Sequence, residues 1–177
     1  GDAAADKGSD LQLQVPLVSK NDAVYMGTVY MGAPVSQPAH VVFDTGSEYL
    51  TITSALCDDA TAGNFHFKKW DSVSGSFAPR EPSTRRCKTM AYDMHKSTSQ
   101  KVLSKASSKL TYGSAKIQGF IWQDYTCIKP LPSGVTEANL ATELKKQKCA
   151  LFEFLALYKA QGLGKKSDGI LGLSPHK

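Results

Sequence analysis

One acidic residue set between two β-rich runs does most to limit what this chain can become. Val41-Val42-Phe43 runs into Asp44-Thr45-Gly46-Ser47, and Tyr49-Leu50-Thr51-Ile52-Thr53 reads as the strand returning from it. β-Branched and aromatic residues suit a pleated, half-buried surface, and Gly46 lets the backbone turn tightly between the two runs. Upstream, Val24-Tyr25-Met26-Gly27-Thr28-Val29-Tyr30-Met31 has the same character and stops at Gly32 and Pro34, a strand followed by a turn. Leu11, Leu13 and Val15 alternate with Gln12 and Gln14, the period of two expected of a strand. Leu110-Thr111-Tyr112-Gly113-Ser114 and Ile117-Gln118-Gly119-Phe120-Ile121-Trp122 read as two further strands about a Gly/Ser/Ala/Lys tip. Glu137 to Lys148 contains neither Gly nor Pro and suits a short helix, whereas Leu151 to Tyr158 fits strand or helix equally. The expected class is mostly β with short helices. Residues 1–10 carry nothing to bury and are expected to form a flexible tail before a single unit over 11–177.

Composition narrows the function classes. The chain has 177 residues, 41% apolar and 21% charged, enough for one proper core and unlike a disordered or fibrous sequence. Its longest apolar run, around Cys149 to Tyr158, is broken by Glu153 and is too short to span a bilayer. The start lacks a basic end and an apolar stretch, so no signal peptide is expected there, although a processed mature chain would read the same. Net charge is +5, from 21 basic and 16 acidic residues. The lysines at 96, 101, 105, 109 and 116, and at 145, 146 and 148, have no Arg/aromatic interleaving, so a solvated surface rather than a nucleic-acid partner is expected.

Cys57, Cys87, Cys127 and Cys149 form no CxxC pair, and the four histidines are not at ligand spacing, so neither metal nor cofactor is expected. An even count favours two disulfides and an oxidising compartment. Three connectivities are possible; the nearest-neighbour one, Cys57–Cys87 and Cys127–Cys149, closes two local loops. The first would staple the long irregular stretch from Asp58 to Lys88, a constraint of about 3 kcal/mol on the loop-entropy model.

Asp44 carries the chemistry. A carboxylate after a buried strand, followed by Thr45, Gly46 and Ser47, is held in a tight loop whose hydroxyls can bond it or its surroundings. Such a group can take and give a proton if a second carboxylate shares that proton, because two like charges about 3 Å apart cannot both ionise. The tetrapeptide alone is also what an ordinary Asx-type turn would show.

Context separates the two readings. The stretch Tyr25 to Pro34, followed by Val41-Val42-Phe43-Asp44-Thr45-Gly46-Ser47, resembles the opening of pepsin-like aspartic proteases. Tyr92-Asp93 with Ser97-Thr98-Ser99 is similar to the segment before that family's flap. Leu110 to Ser114 with Gly119 resembles the flap hairpin and its tyrosine. Ser167-Asp168-Gly169-Ile170-Leu171-Gly172-Leu173 resembles the apolar-apolar-Gly loop that crosses behind the catalytic aspartate. Four motifs in order span roughly residues 11–175. The resemblance implies one lobe of a bilobal β protein that hydrolyses peptides with a water activated between two aspartates. Asp44 would be the first-lobe aspartate, base and then acid; Thr45, Gly46 and Ser47 would support its loop, with Ser47 bonding the carboxylate. Tyr112, Gly113 and Ser114 would close over substrate, and Asp168, Gly169, Ile170, Leu171 and Gly172 would back the site, Asp168 by capping backbone.

Departures from that pattern carry their own expectations. Only one Asp-Thr-Gly occurs, so the second aspartate would come from a C-terminal lobe on a partner chain. Thr51 stands where a tryptophan commonly reaches the flap tyrosine, Glu48 where a small polar residue is more usual, and Ser167 where an apolar group often lines the cleft. The end at Lys177, just after Gly172-Leu173-Ser174-Pro175, is expected to reflect a cut that leaves a two-chain enzyme. Peptide or protein substrates and a secreted or endolysosomal-type compartment follow from the resemblance. The rival expectations are a one-lobe protease that dimerises and a pepsin-like binding module that does not cut.

Overall fold

The computed structural model describes residues 14–20, 24–58, 86–104, 106–164 and 166–174. The expected tail over 1–10, residues 11–13 of the first expected strand and most of the Asp58–Lys88 stretch lie outside these residues. Strands dominate, in the order β1 Val18–Lys20, β2 Val24–Met31, β3 Gln37–Asp44, β4 Leu50–Thr53, β5 Lys101–Val102, β6 Ser108–Tyr112, β7 Ala115–Cys127, β8 Ala150–Gln161 and β9 Gly169–Gly172. Among the described residues there are also a helix, α1 over Glu137–Lys146, and short 3₁₀ turns at Ala55–Asp58 and Met94–Lys96. The expected strand through Val15 does not form there; the first strand begins at Val18.

β8 is the segment whose periodicity was ambiguous. It pairs antiparallel with β7 on one edge and parallel with β4 on the other. A strand with neighbours on both edges and packing on both faces loses its alternation, and Phe154 to Tyr158 are buried without interruption. β3 starts four residues before its apolar run. Pro38 and His40 interrupt the hydropathy there, yet Gln37, Ala39 and Val41 alternate inward as a strand requires. Paired strands run in the order β1-β2-β3-β9-β4-β8-β7-β5, with β6 on β7, and the ends of β2 and β7 also pair at Tyr30↔Cys127 and Met31↔Thr126. The sheet therefore curls back on itself around a core that includes Met31, Val41, Ile52, Tyr92, Phe120 and Phe154. Each such large apolar side chain contributes about 1.5–3 kcal/mol by leaving water.

β9 decides where the site lies. It runs parallel to β3 and antiparallel to β4, threaded between the two strands that carry the Asp44 loop. Glycine makes that crossing possible: a Cβ at Gly169 would overlap the Thr51 carbonyl oxygen, and one at Gly172 would lie 2.5 Å from the Ser47 carbonyl oxygen. A smaller cluster of Ala33, Cys127, Leu131 and Leu144 packs under α1. The Asn139 side chain accepts from the Thr136 N–H at 2.7 Å to start that helix. The disulfides are Cys57–Cys87, with 30 residues of separation, and Cys127–Cys149, with 22. The second ties the end of β7 to the residue before β8, across the segment that contains α1.

Candidate active site

Asp44 is the last residue of β3 and pairs in register with Gly172 of β9. Beyond it the chain turns at once, and the Gly46 N–H donates to Asp44 Oδ1 at 2.9 Å. Three backbone bonds then tie this loop to the end of β9. Leu173 N–H donates to the Asp44 carbonyl at 2.8 Å, Gly172 N–H to Tyr49 at 3.1 Å, and Ser174 N–H to Ser47 at 2.9 Å. The carboxylate is half-buried, with Thr45 and Gly46 exposed beside it. Ser47 departs from its expected role: it is buried, and its hydroxyl has no hydrogen-bond partner rather than bonding Asp44. The neighbouring Gly46 N–H has taken Oδ1, and the Ser47 side chain is enclosed where β9 presses on the loop.

A hairpin faces this loop. Tyr112 ends β6 and pairs with Ala115, the first residue of β7, leaving Gly113 and Ser114 as a two-residue turn. Gly113 has φ +54° and Ser114 does not share a positive φ, the type II′ arrangement that matches strand twist. Gly162, past the end of β8, lies so close that a Cβ there would come within 2.7 Å of the Ser114 carbonyl oxygen. Gly46 to Tyr49 on one wall and Leu110 to Tyr112 on the other, with Ser174, enclose a cleft of about 270 Å³. The Tyr112 phenol is pushed above its ordinary value, first by burial and then by Tyr49, Asp44 and Glu48. It therefore remains a neutral O–H, a hydrogen-bond donor, across acid and neutral pH.

Asp168 lies elsewhere. Its Oδ2 accepts from the His40 N–H at 2.8 Å, its own N–H donates to the His40 carbonyl at 2.7 Å, and its carbonyl accepts from Thr53 N–H at 2.7 Å. His40 precedes Asp44 by four residues on β3, about 13 Å along the strand, so Asp168 is not brought to Asp44. It pins β9 between β3 and β4 instead. Thr51 is fully buried and accepts from Ile170 N–H at 3.1 Å, which commits it to β9 rather than to Tyr112.

Sequence reasoning missed two features. Tyr49 lines the cleft, and its exposed aromatic ring directly after the Asp-Thr-Gly loop was the available signal. Asp124 is fully buried in β7 and accepts from Tyr92 Oη at 2.7 Å, Ser99 Oγ at 2.5 Å and Tyr125 N–H at 2.8 Å. A lone acid inside the run Phe120 to Tyr125 marks such a site. Among the described residues no group of acidic, histidine or cysteine side chains is arranged to hold a metal ion.

A family model described as eukaryotic aspartyl protease matches residues 24–177. Similar proteins include chymosin of Camelus dromedarius, 28% identical over 159 residues, which cover 90% of this chain and 32% of that protein. Pregnancy-associated glycoprotein 2 of Sus scrofa is 31% identical over 159 residues, 90% of this chain and 29% of its own length. Pepsin A of Bos taurus is 25% identical over 168 residues, 95% of this chain and 35% of its own length. The chain thus spans about a third of the length of the curated relatives it matches.

Proposed function

This chain belongs to the eukaryotic aspartyl protease family as a mostly β, pepsin-like lobe, and on that premise we propose that residues 11–177 are the N-terminal lobe of an aspartic endopeptidase. The observation that carries the proposal is that Asp44 ends β3 at the loop whose residues Gly46 to Tyr49 face the Tyr112 hairpin across a cleft, with β9 bonded behind that loop. Asp44 supplies one of two carboxylates that share a proton. As general base it draws a proton from a water, whose oxygen attacks the scissile peptide carbonyl while the paired acid protonates the carbonyl oxygen. Asp44 then acts as acid, giving its proton to the leaving amine as the partner carboxylate takes one back from the intermediate's hydroxyl. No covalent intermediate is needed. Thr45 and Gly46 hold the loop, the latter through its bond to Oδ1. Gly169 to Gly172 back the loop, while Tyr112, Gly113 and Ser114 close over the peptide and exclude water.

The second carboxylate comes from a C-terminal lobe. Among the described residues the one hydrogen bond to the Asp44 carboxylate is that from Gly46, and Asp168 is held on His40. Two disulfides suit a secreted or endolysosomal-type compartment. One observation favours a different reading, a pepsin-like module that binds peptides without cutting: the Ser47 hydroxyl does not engage Asp44. Intact mass and peptide hydrolysis of the native complex separate the two. An active complex containing a second lobe with its own Asp-Thr-Gly or Asp-Ser-Gly supports the endopeptidase. A complex that binds peptides and never cleaves them supports the module.

A further inference from the structure

The cleft beside Asp44 has a neighbour. Glu48, Tyr49 and Leu110 line both it and a larger pocket of about 470 Å³, whose far side is formed by Ile121 of β7 and Leu151 to Leu155 of β8. The pocket is walled largely by apolar side chains, and Tyr49, Leu151 and Phe152 stand 47%, 49% and 42% exposed around it. Isolated exposed apolar residues are ordinary, but a group around a concave pocket marks a binding surface. Two carboxylates, Glu48 and Glu153, belong to the same pocket. Both are exposed, and neither forms an ion pair among the described residues, although the chain carries 21 basic side chains. Among the described residues, two acids thus stand beside an apolar hollow without an ion-pair partner.

We propose that this pocket is a specificity-determining extension of the Asp44 cleft, which takes a peptide segment pairing a large apolar side chain with a lysine or arginine. The inference rests on the reading of the Asp44 cleft as a peptide-binding site. The apolar side chain enters between Leu110, Ile121 and Leu155, and the neighbouring cation meets Glu48 and Glu153. A peptide is the favoured occupant because the pocket is continuous with the cleft through three shared residues and because its charge is opposite to the cation offered. A purely apolar partner would leave both carboxylates at its rim without a counter-charge.

Binding of labelled peptides, measured by fluorescence anisotropy on the full chain carrying Asp44→Asn, tests this without any need for cleavage. Three probes share one sequence, Ala-Leu-Phe-X-Ala-Ala, with X as lysine, glutamine or glutamate. The lysine peptide should bind about tenfold more tightly than the glutamine peptide, and the glutamate peptide more weakly still. The preference should shrink at high salt and collapse in the Glu48→Gln/Glu153→Gln double variant. Equal affinity for all three, or a lysine preference that survives the double variant, would overturn the proposal. Concentration-dependent self-association abolished by Phe152→Ser would also overturn it, by giving the pocket to a second copy of the chain. Hydrolysis by the wild-type protein without any lysine preference would defeat this inference and leave the endopeptidase standing. A lysine preference without hydrolysis would do the reverse.

Discussion

At the scale of single residues the molecule treats its acids in contrasting ways. Asp44 is half-buried at the end of a strand, with one backbone donor and an open cleft beside it. Asp124 is sealed and takes three donors; Asp168 is tied to the backbone of β3. Only the first is free to exchange a proton with something that arrives. The Tyr92 hydroxyl, which donates to Asp124, is pushed far above the ordinary tyrosine value of 10.0, by burial first and then by the charge of Asp124. The sign follows: the folded form holds a proton that the unfolded chain releases above about pH 10, so stability is full below that pH and falls as pH rises beyond it. Denaturant titrations at about pH 8 and pH 11 should show this loss, with a smaller loss in Tyr92→Phe. That variant should also cost about 1–3 kcal/mol at neutral pH by leaving Asp124 short of a donor. An identical alkaline slope in the variant would remove Tyr92 as its source.

Among elements, the crossing of β9 between β3 and β4 is the most demanding contact, because it is backbone against backbone. Gly169→Ala would drive a methyl into the Thr51 carbonyl, and neither strand can move without breaking its pairing; we expect a loss of about 3 kcal/mol or more in chemical denaturation. Gly172→Ala presses instead on Ser47 and Tyr49, so it should displace the Asp44 loop and lower any peptide hydrolysis by more than its stability cost implies. Removing Cys127–Cys149, which closes 22 residues around α1, should cost about 3–4 kcal/mol on the loop-entropy model and leave β9 and the Asp44 loop in place. Protection of the β9 amides in hydrogen exchange distinguishes these cases. Much of this architecture was legible in sequence. Val24–Met31 is a half-buried strand with regular alternation, and the motifs about Asp44, Tyr112 and Gly172 stand at the elements they suggested. What stayed hidden has physical causes. β8 is buried along its centre, so it shows no period; β3 opens with Pro38 and His40, which read as a break. The idle Ser47 hydroxyl depends on how tightly β9 packs, which no local pattern encodes.

At the scale of the whole molecule, the described residues form a curled sheet, and on the proposed reading its Asp44 face is one wall of a two-lobe site. On the two-lobe reading the chain alone should expose apolar surface, and Tyr25, Val35 and Leu173, outside the Glu48/Glu153 pocket, are about half exposed. Light scattering should therefore show the isolated chain associating with concentration, and the chain together with the proposed C-terminal lobe remaining compact. The pocket edged by Glu48 and Glu153 adds a demand on substrate that Asp44 alone does not make. Hydrolysis itself depends on one claim, that Asp44 is half of a shared-proton pair completed from outside this chain. The direct measurement is the rate of peptide hydrolysis at acid pH by the two-lobe protein, its Asp44→Asn form, and this chain alone as a monomer. The account predicts cleavage by the first, a rate lower by about 10²–10⁴-fold in the second with the fold intact, and none by the third. A monomer of this chain that cleaves unaided, or an Asp44→Asn protein that keeps its rate, would contradict it.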